Sequence, residues 1–182
     1  GVAVEPRSGG SFGLYGNAAI QHNKSTNTGN LMQGGNYYPN SDLENVSGKS
    51  SAGGGGVANL GQFTMNSLRS DAIAYNSAAR FGGGLYSYSE GDRYTDRWTK
   101  LLNGGITGNT AGEQGGGVHA SPNHSGTELT LGGSVSITGN TLTDGTDENL
   151  YLLVDTEYGA SAKISVSGLT EDADIQVVEV EG

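Results

Sequence analysis

The side chains in this sequence most able to do chemistry are few and lie far apart. The segment Ser89-Glu-Gly-Asp-Arg-Tyr-Thr-Asp-Arg-Trp98 carries Glu90, Asp92 and Asp96. Asp92 with Asp96, or Glu90 with Asp96, has the composition of an acid/base pair, although a solvated surface loop is the plainer account of such a charged run. Asp144-Gly-Thr-Asp-Glu148 is similar to a piece of a calcium loop. It has neither EF-hand spacing nor the nonapeptide repeat of calcium-binding β-rolls, so Ca2+ is only weakly supported and the metal question stays open. His22, His119 and His124 share no spacing, which argues against zinc, and the absence of Cys removes disulfides and thiolate metal sites.

Aromatic residues make a more ordered pattern. Tyr86, His119 and Tyr151 each follow an aliphatic residue, Leu85, Val118 or Leu150, and would form an outward ladder on successive strands, with Tyr94 and Trp98 in an adjoining loop. Aligned aromatic faces can stack on sugar rings. The competing account is a surface ladder that only ties neighbouring strands together. The equivalent positions earlier in the chain are Ala3 and Ala58, and no carboxylate occurs anywhere in this row.

Positioning such a row requires a repeating backbone, and the repeat is the strongest signal in the chain. Ile-x-x-Asn occurs at Ile20–Asn23, Ile73–Asn76, Ile106–Asn109 and Ile137–Asn140. Gly82-Gly-Gly84 and Gly115-Gly-Gly117 follow two of these asparagines at the same offset, each leading into an aliphatic residue. Upstream lie the alternating segments Phe12-x-Leu14, Phe63-x-Met65 and Leu129-x-Leu131, whose period of two is that of half-buried strands. Each unit of about 30 residues therefore reads as three short strands, too little to bury an apolar face alone but enough when units stack. That describes a parallel β-helix of about four to five coils, all-β and single-stranded. In it Asn23, Asn76, Asn109 and Asn140 stack about 4.8 Å apart as a hydrogen-bonded ladder, each at a sharp turn and tolerant of a left-handed backbone. The glycines form the next corner, where backbones approach closely and positive φ is needed.

Two insertions interrupt the coils, at residues 24–52 and 88–98, so that residues 1–160 form the helix and 161–182 an atypical C-terminal cap. The first insertion contains Tyr37-Tyr-Pro39 among many Asn, Ser and Gly, a composition suited to an adaptable binding loop. The tail carries Ile164-x-Val166 and Ile175-x-Val177 with acidic Glu171, Asp172, Asp174, Glu179 and Glu181, as a solvated capping unit would. Gly1-Val-Ala-Val4 resembles the stretch beginning at Gly117, so the sequence starts in mid-coil, as a fragment of a longer array would.

Composition agrees with this reading. Among 182 residues, 33 are Gly and only 3 are Pro, which without a Gly-X-Y period points to tight turns rather than collagen. A net charge of −10 excludes the basic footprint that nucleic acid or an anionic membrane surface requires. No apolar run is long enough to span a membrane, so no direct membrane insertion is expected of this segment.

The Gly-Gly-Gly-Val118 and Ile106-Thr-Gly-Asn-Thr-Ala111 motifs resemble those of right-handed parallel β-helices of the pectate-lyase-like superfamily, in particular the repeats of bacterial surface adhesins. The resemblance covers roughly residues 1–153. It implies a right-handed helix in a secreted or cell-surface bacterial protein, acting as an adhesive or stalk module. Its partner would be polysaccharide or a host or cell-surface glycoprotein, bound without a cofactor. It also implies an alternative, a polysaccharide-processing lyase or glycoside hydrolase. The Asn-Thr-Asp, Asp-Asp and Gly-His-Gly set expected of such hydrolases, and the aligned aspartates by which such lyases bind calcium, are missing. A third reading is a structural spacer without ligand.

Overall fold

The structure, a computed structural model, describes residues 1–4, 10–26, 53–88, 98–121, 128–155 and 160–178. Among these residues there is no helix, and the strands are short and pair almost wholly in parallel. Tyr94, the acidic residues Glu90, Asp92 and Asp96, His124, Tyr37-Tyr-Pro39, Glu179 and Glu181 lie outside the described residues.

Each repeat contributes one strand to each of several stacks. The first stack orders Val2–Val4, Val57–Asn59, Leu85–Tyr88, Val118–Ser121 and Leu150–Leu152, with Val2, Val57, Leu85, Val118 and Leu150 in register. The second aligns Phe12, Phe63, Thr99, Leu129 and Ile164 on Ser11–Gly16, Gln62–Ser67, Trp98–Thr107, Glu128–Gly133 and Lys163–Leu169. The strand Trp98–Thr107 changes register between Leu101 and Asn103 and passes into a third stack, joining the two into one sheet. There Ile20, Ile73, Ile106, Ile137 and Ile175 align.

Sequence alternation explains why these strands enclose a core. In Gln62–Ser67 the side chains alternate half-buried and buried, turning Phe63, Met65 and Ser67 inward. Val57, Leu85 and Val118 from the first stack meet Phe63, Met65, Leu101 and Leu129 from the second and Ile73, Ile106 and Ile137 from the third in one apolar cluster. Phe12 and Phe63 stack with ring centroids 6.0 Å apart. Neighbouring repeats thus bury each other's apolar faces, which none could bury alone.

The structure differs from the sequence expectation in four places. A fourth, two-residue segment follows each asparagine: Lys24–Ser25, Ser77–Ala78, Thr110–Ala111 and Thr141–Leu142 form a parallel stack of their own, too short to leave a periodicity. The insertions are accordingly narrower than expected, since Lys24, Tyr88 and Trp98 all belong to paired strands. The third repeat does possess the upstream strand, but its inward positions are Thr99 and Leu101. Thr99 is fully buried and shares hydrogen bonds with Ser87 at 2.6 Å and Asn59 at 2.9 Å, a polar core contact that hides the apolar pattern. Finally, the left-handed residue at the asparagine corner is the one before Asn: His22 and Tyr75 at φ 55°, Gly108 and Gly139 at φ 64°. The tail continues the stacks, Lys163–Leu169 pairing with Glu128–Gly133 and Asp174–Ile175 with Val135–Thr138.

The triplet Gly82-Gly-Gly84 shows why glycine recurs at the next corner. Gly82 has φ +60°, and a Cβ there would meet the Leu85 carbonyl oxygen at 2.4 Å. On Gly84 a Cβ would meet the Gly117 carbonyl oxygen at 2.7 Å and the Asn109 amide nitrogen at 2.9 Å. The third glycine therefore vacates the space that the next repeat's asparagine fills.

Candidate functional site

The asparagines form a continuous buried line. The side-chain amide of Asn23 donates to Asn76 Oδ1 at 3.0 Å, Asn76 to Asn109 at 3.0 Å, and Asn109 to Asn140 at 2.9 Å. Each accepting oxygen also takes the backbone N–H of the preceding asparagine, at 2.9 to 3.1 Å. The second amide hydrogen goes to backbone carbonyls, as from Asn109 to Ile73 and Thr107. Asn76, Asn109 and Asn140 are all nearly inaccessible to solvent, so every polar atom in the line needs such a partner.

Sequence inspection missed the last member. Asn149 stands in register with Gly117, on the strand position that is glycine in the preceding repeats. The tail has Val178 where the motif beginning at Ile175 calls for asparagine. Asn149 turns its side chain into the vacant slot, accepts from the Asn140 amide at 2.9 Å, and donates to Gln176 Oε1 at 2.9 Å. The detectable signal was asparagine replacing glycine before Leu150.

Tyr86, His119 and Tyr151 are brought side by side, as their spacing required: Tyr86 pairs with His119 and His119 with Tyr151 in strict register. His119 and Tyr151 stack at 5.2 Å, Tyr86 and His119 at 5.3 Å. The row lies outside the apolar core, but it is covered. Gly53, Phe81 and Gln114, bridged to one another from successive turns, roof it over. Phe81 packs 5.0 Å from the His119 ring, and Gln114 donates to the Tyr151 hydroxyl at 2.8 Å and faces His119 Nε2 at 3.3 Å. Arg80 lies 4.6 Å over Phe81 and grips Glu113 with two hydrogen bonds. Tyr86 is 1%, His119 2% and Tyr151 7% exposed, so the row presents no open ring face to a solute. The aligned positions were legible; the roof was not, because it is built from single residues preceding each glycine triplet.

Burial gives this row unusual electrostatics. The His119 imidazole is pushed down to about 3 by desolvation, and its Nδ1 has no hydrogen-bond partner among the described residues. Glu148 accepts the Gly115 N–H, yet burial raises its carboxyl above the usual range. Burial, and secondarily the charge of Glu148, raise the Tyr151 phenol.

The other acidic candidates are dispersed. Asp144 accepts the Thr146 N–H at 2.9 Å within its own exposed turn, which holds its carboxyl below the usual range, while Glu148 turns inward. Among the described residues no group of three or more His, Asp or Glu is placed to hold a metal ion. Trp98 is half-buried on a strand instead of in a loop, with Lys100 4.8 Å over its ring. In comparisons with known proteins, no family model matches the chain, and no curated protein or solved structure matches it either.

Proposed function

We propose that the parallel stacks are the faces of a right-handed, single-stranded parallel β-helix of about four to five coils, and that the chain is a non-catalytic segment of a secreted or cell-surface bacterial protein. In this reading it serves as an adhesive or stalk module that meets polysaccharide or a cell-surface glycoprotein. Right-handedness follows from the strong bias of parallel crossover connections. The observation that carries the functional reading is the unbroken asparagine line from Asn23 to Asn149, which ties every repeat to the next through buried amides. Such a line makes each repeat dependent on its neighbours and suits an element that must hold a shape while presenting a surface. Three acidic side chains among the described residues are engaged in structure: Asp71 with Arg69, Glu113 with Arg80, Glu148 with a backbone amide.

The discriminating experiment incubates the purified chain with a panel of plant, fungal and bacterial polysaccharides, with and without Ca2+, and measures both retention and released products. Retention without new reducing ends or unsaturated products supports the adhesive reading. Product formation overturns it in favour of the polysaccharide-processing class, and neither retention nor products leaves a spacer.

A further inference from the structure

The asparagine corner is furnished differently in different repeats. Gly108 and Gly139 occupy the left-handed position in two of them, while His22 and Tyr75 occupy it in the other two at φ 55°. Glycine takes that backbone freely and histidine tolerates it, whereas the bulky Tyr75 is held there against local preference. The rings gain little burial in return. Tyr75 remains 53% exposed and His22 is exposed, the two rings stacking at 5.2 Å with planes 14° apart. On the far side Tyr75 lies over Gly108, where a Cβ would strike its ring at 2.7 Å. Backbone strain of this kind clusters at binding and active sites, where the surrounding structure holds it.

Polar groups stand beside this corner. Gln21, next to His22, donates to the Asp71 carboxylate at 2.9 Å and to its carbonyl at 2.7 Å, and Arg69 donates to the same carboxylate at 2.8 Å. Hydrogen bonding from Arg69 lowers the Asp71 carboxyl, so it is an ionised acceptor. The corresponding corners of the later repeats carry only Gly and Thr.

We propose that the His22–Tyr75 corner is a binding site for a neutral glycan, with a pyranose ring against the outer face of His22, the exposed end of the stack that Tyr75 backs, and its hydroxyls met by Gln21, Arg69 and Asp71. An exposed ring with an amide on the preceding residue and an ion pair bonded to that amide matches a sugar, which is apolar on its C–H face and polar at its rim. The net charge of −10, with Arg69 already paired to Asp71, disfavours acidic polysaccharides. The proposal deepens the adhesive reading above, and supplies an exposed surface where the Tyr86–His119–Tyr151 row is roofed.

The test is calorimetric titration of the chain with neutral oligosaccharides (glucan, mannan, galactan and chitin series) and with acidic ones, using wild type, Tyr75→Gly, Tyr75→Phe and His22→Gly, alongside thermal melts. We expect a neutral oligosaccharide to bind wild type and Tyr75→Phe alike, and to bind Tyr75→Gly about tenfold or more weakly. The Tm of Tyr75→Gly should be unchanged or raised, because glycine relieves the backbone. A Tyr75→Asn variant, which also tolerates the left-handed backbone, replaces the glycine variant if that one misfolds. Neutral-glycan binding unaffected in Tyr75→Gly and His22→Gly overturns the site. So does a preference for acidic glycans, or a fall in the Tm of Tyr75→Gly with affinity intact, which would mark a structural role. Binding that survives both corner substitutions but is lost in Trp98→Ala sinks this site and leaves the adhesive reading standing. Failure to bind any glycan sinks both.

Discussion

Replacing Asn109 by aspartate changes one NH2 to an oxygen in the middle of the buried asparagine line. Asn109 is 0% exposed, and its amide nitrogen donates to the Ile73 carbonyl at 2.9 Å, the Thr107 carbonyl at 3.1 Å and Asn140 Oδ1 at 2.9 Å. An aspartate oxygen there faces three acceptors and donates to none. Two lost N–H donors, one of them shared between the Ile73 and Thr107 carbonyls, at about 1 kcal/mol net each come to about 2 kcal/mol, and an uncompensated buried charge adds several more. The total of roughly 5 kcal/mol or more is a large part of the stability of an ordinary domain, about 5–15 kcal/mol. The accepting side is conserved by the substitution, since Asn109 Oδ1 would still receive the backbone and side-chain N–H groups of Asn76. Asn23→Asp is the internal control: Asn23 is only half-buried at the end of the line, and its amide donates to just Gln21 and Asn76. Urea unfolding followed by circular dichroism at pH 7 and pH 4 should show a marked loss of midpoint for Asn109→Asp, partly recovered at the lower pH as the carboxyl takes a proton and regains one donor. Asn23→Asp should lose much less. An Asn109→Asp midpoint equal to that of Asn23→Asp would refute the view that the buried line holds the repeats together.

Three further outcomes follow from the same geometry. His119 is neutral in the fold down to about pH 3 and has an ordinary value of 6.5 when unfolded, so its contribution is complete above pH 6.5 and is lost as pH falls toward 3. At about 1.4 kcal/mol per unit this amounts to about 4–5 kcal/mol, opposed in part by Glu148, whose raised carboxyl favours the fold as it protonates. His119→Phe, which keeps a ring under Phe81, should flatten the pH dependence of the urea midpoint. Gly84→Ala places a methyl within 2.7 Å of the Gly117 carbonyl oxygen and 2.9 Å of the Asn109 amide, and should destabilise by several times the about 1 kcal/mol expected for Gly145→Ala, whose added Cβ meets nothing within 4 Å. Thermal melts of the two variants side by side check the ratio. Thr99→Val removes the hydroxyl that joins Ser87 and Asn59, and should lower stability by about 1–3 kcal/mol in chemical unfolding despite preserving shape.

Much of the architecture was written in the order of residues. Ile20, Ile73, Ile106 and Ile137 fixed one register, and Val2, Val57, Leu85, Val118 and Leu150 another, because a chain that repeats a short apolar period must bring equivalent positions together to bury them. The asparagine line followed from the same spacing. Tertiary structure decided what sequence periodicity does not encode: whether an outward side chain meets water. Tyr86, His119 and Tyr151 align as their spacing demanded, yet Phe81 and Gln114 reach over them from turns that carry no periodic signal. The inward Thr99 was invisible because its burial depends on partners, Asn59 and Ser87, that lie 40 and 12 residues away. The corner at His22 and Tyr75 was likewise hidden, since the motif marks the Ile and the Asn and leaves the residue at the left-handed position free to be Gly, His or Tyr. Local pattern determines which residues share a row; packing between rows determines which of them remain available to a ligand.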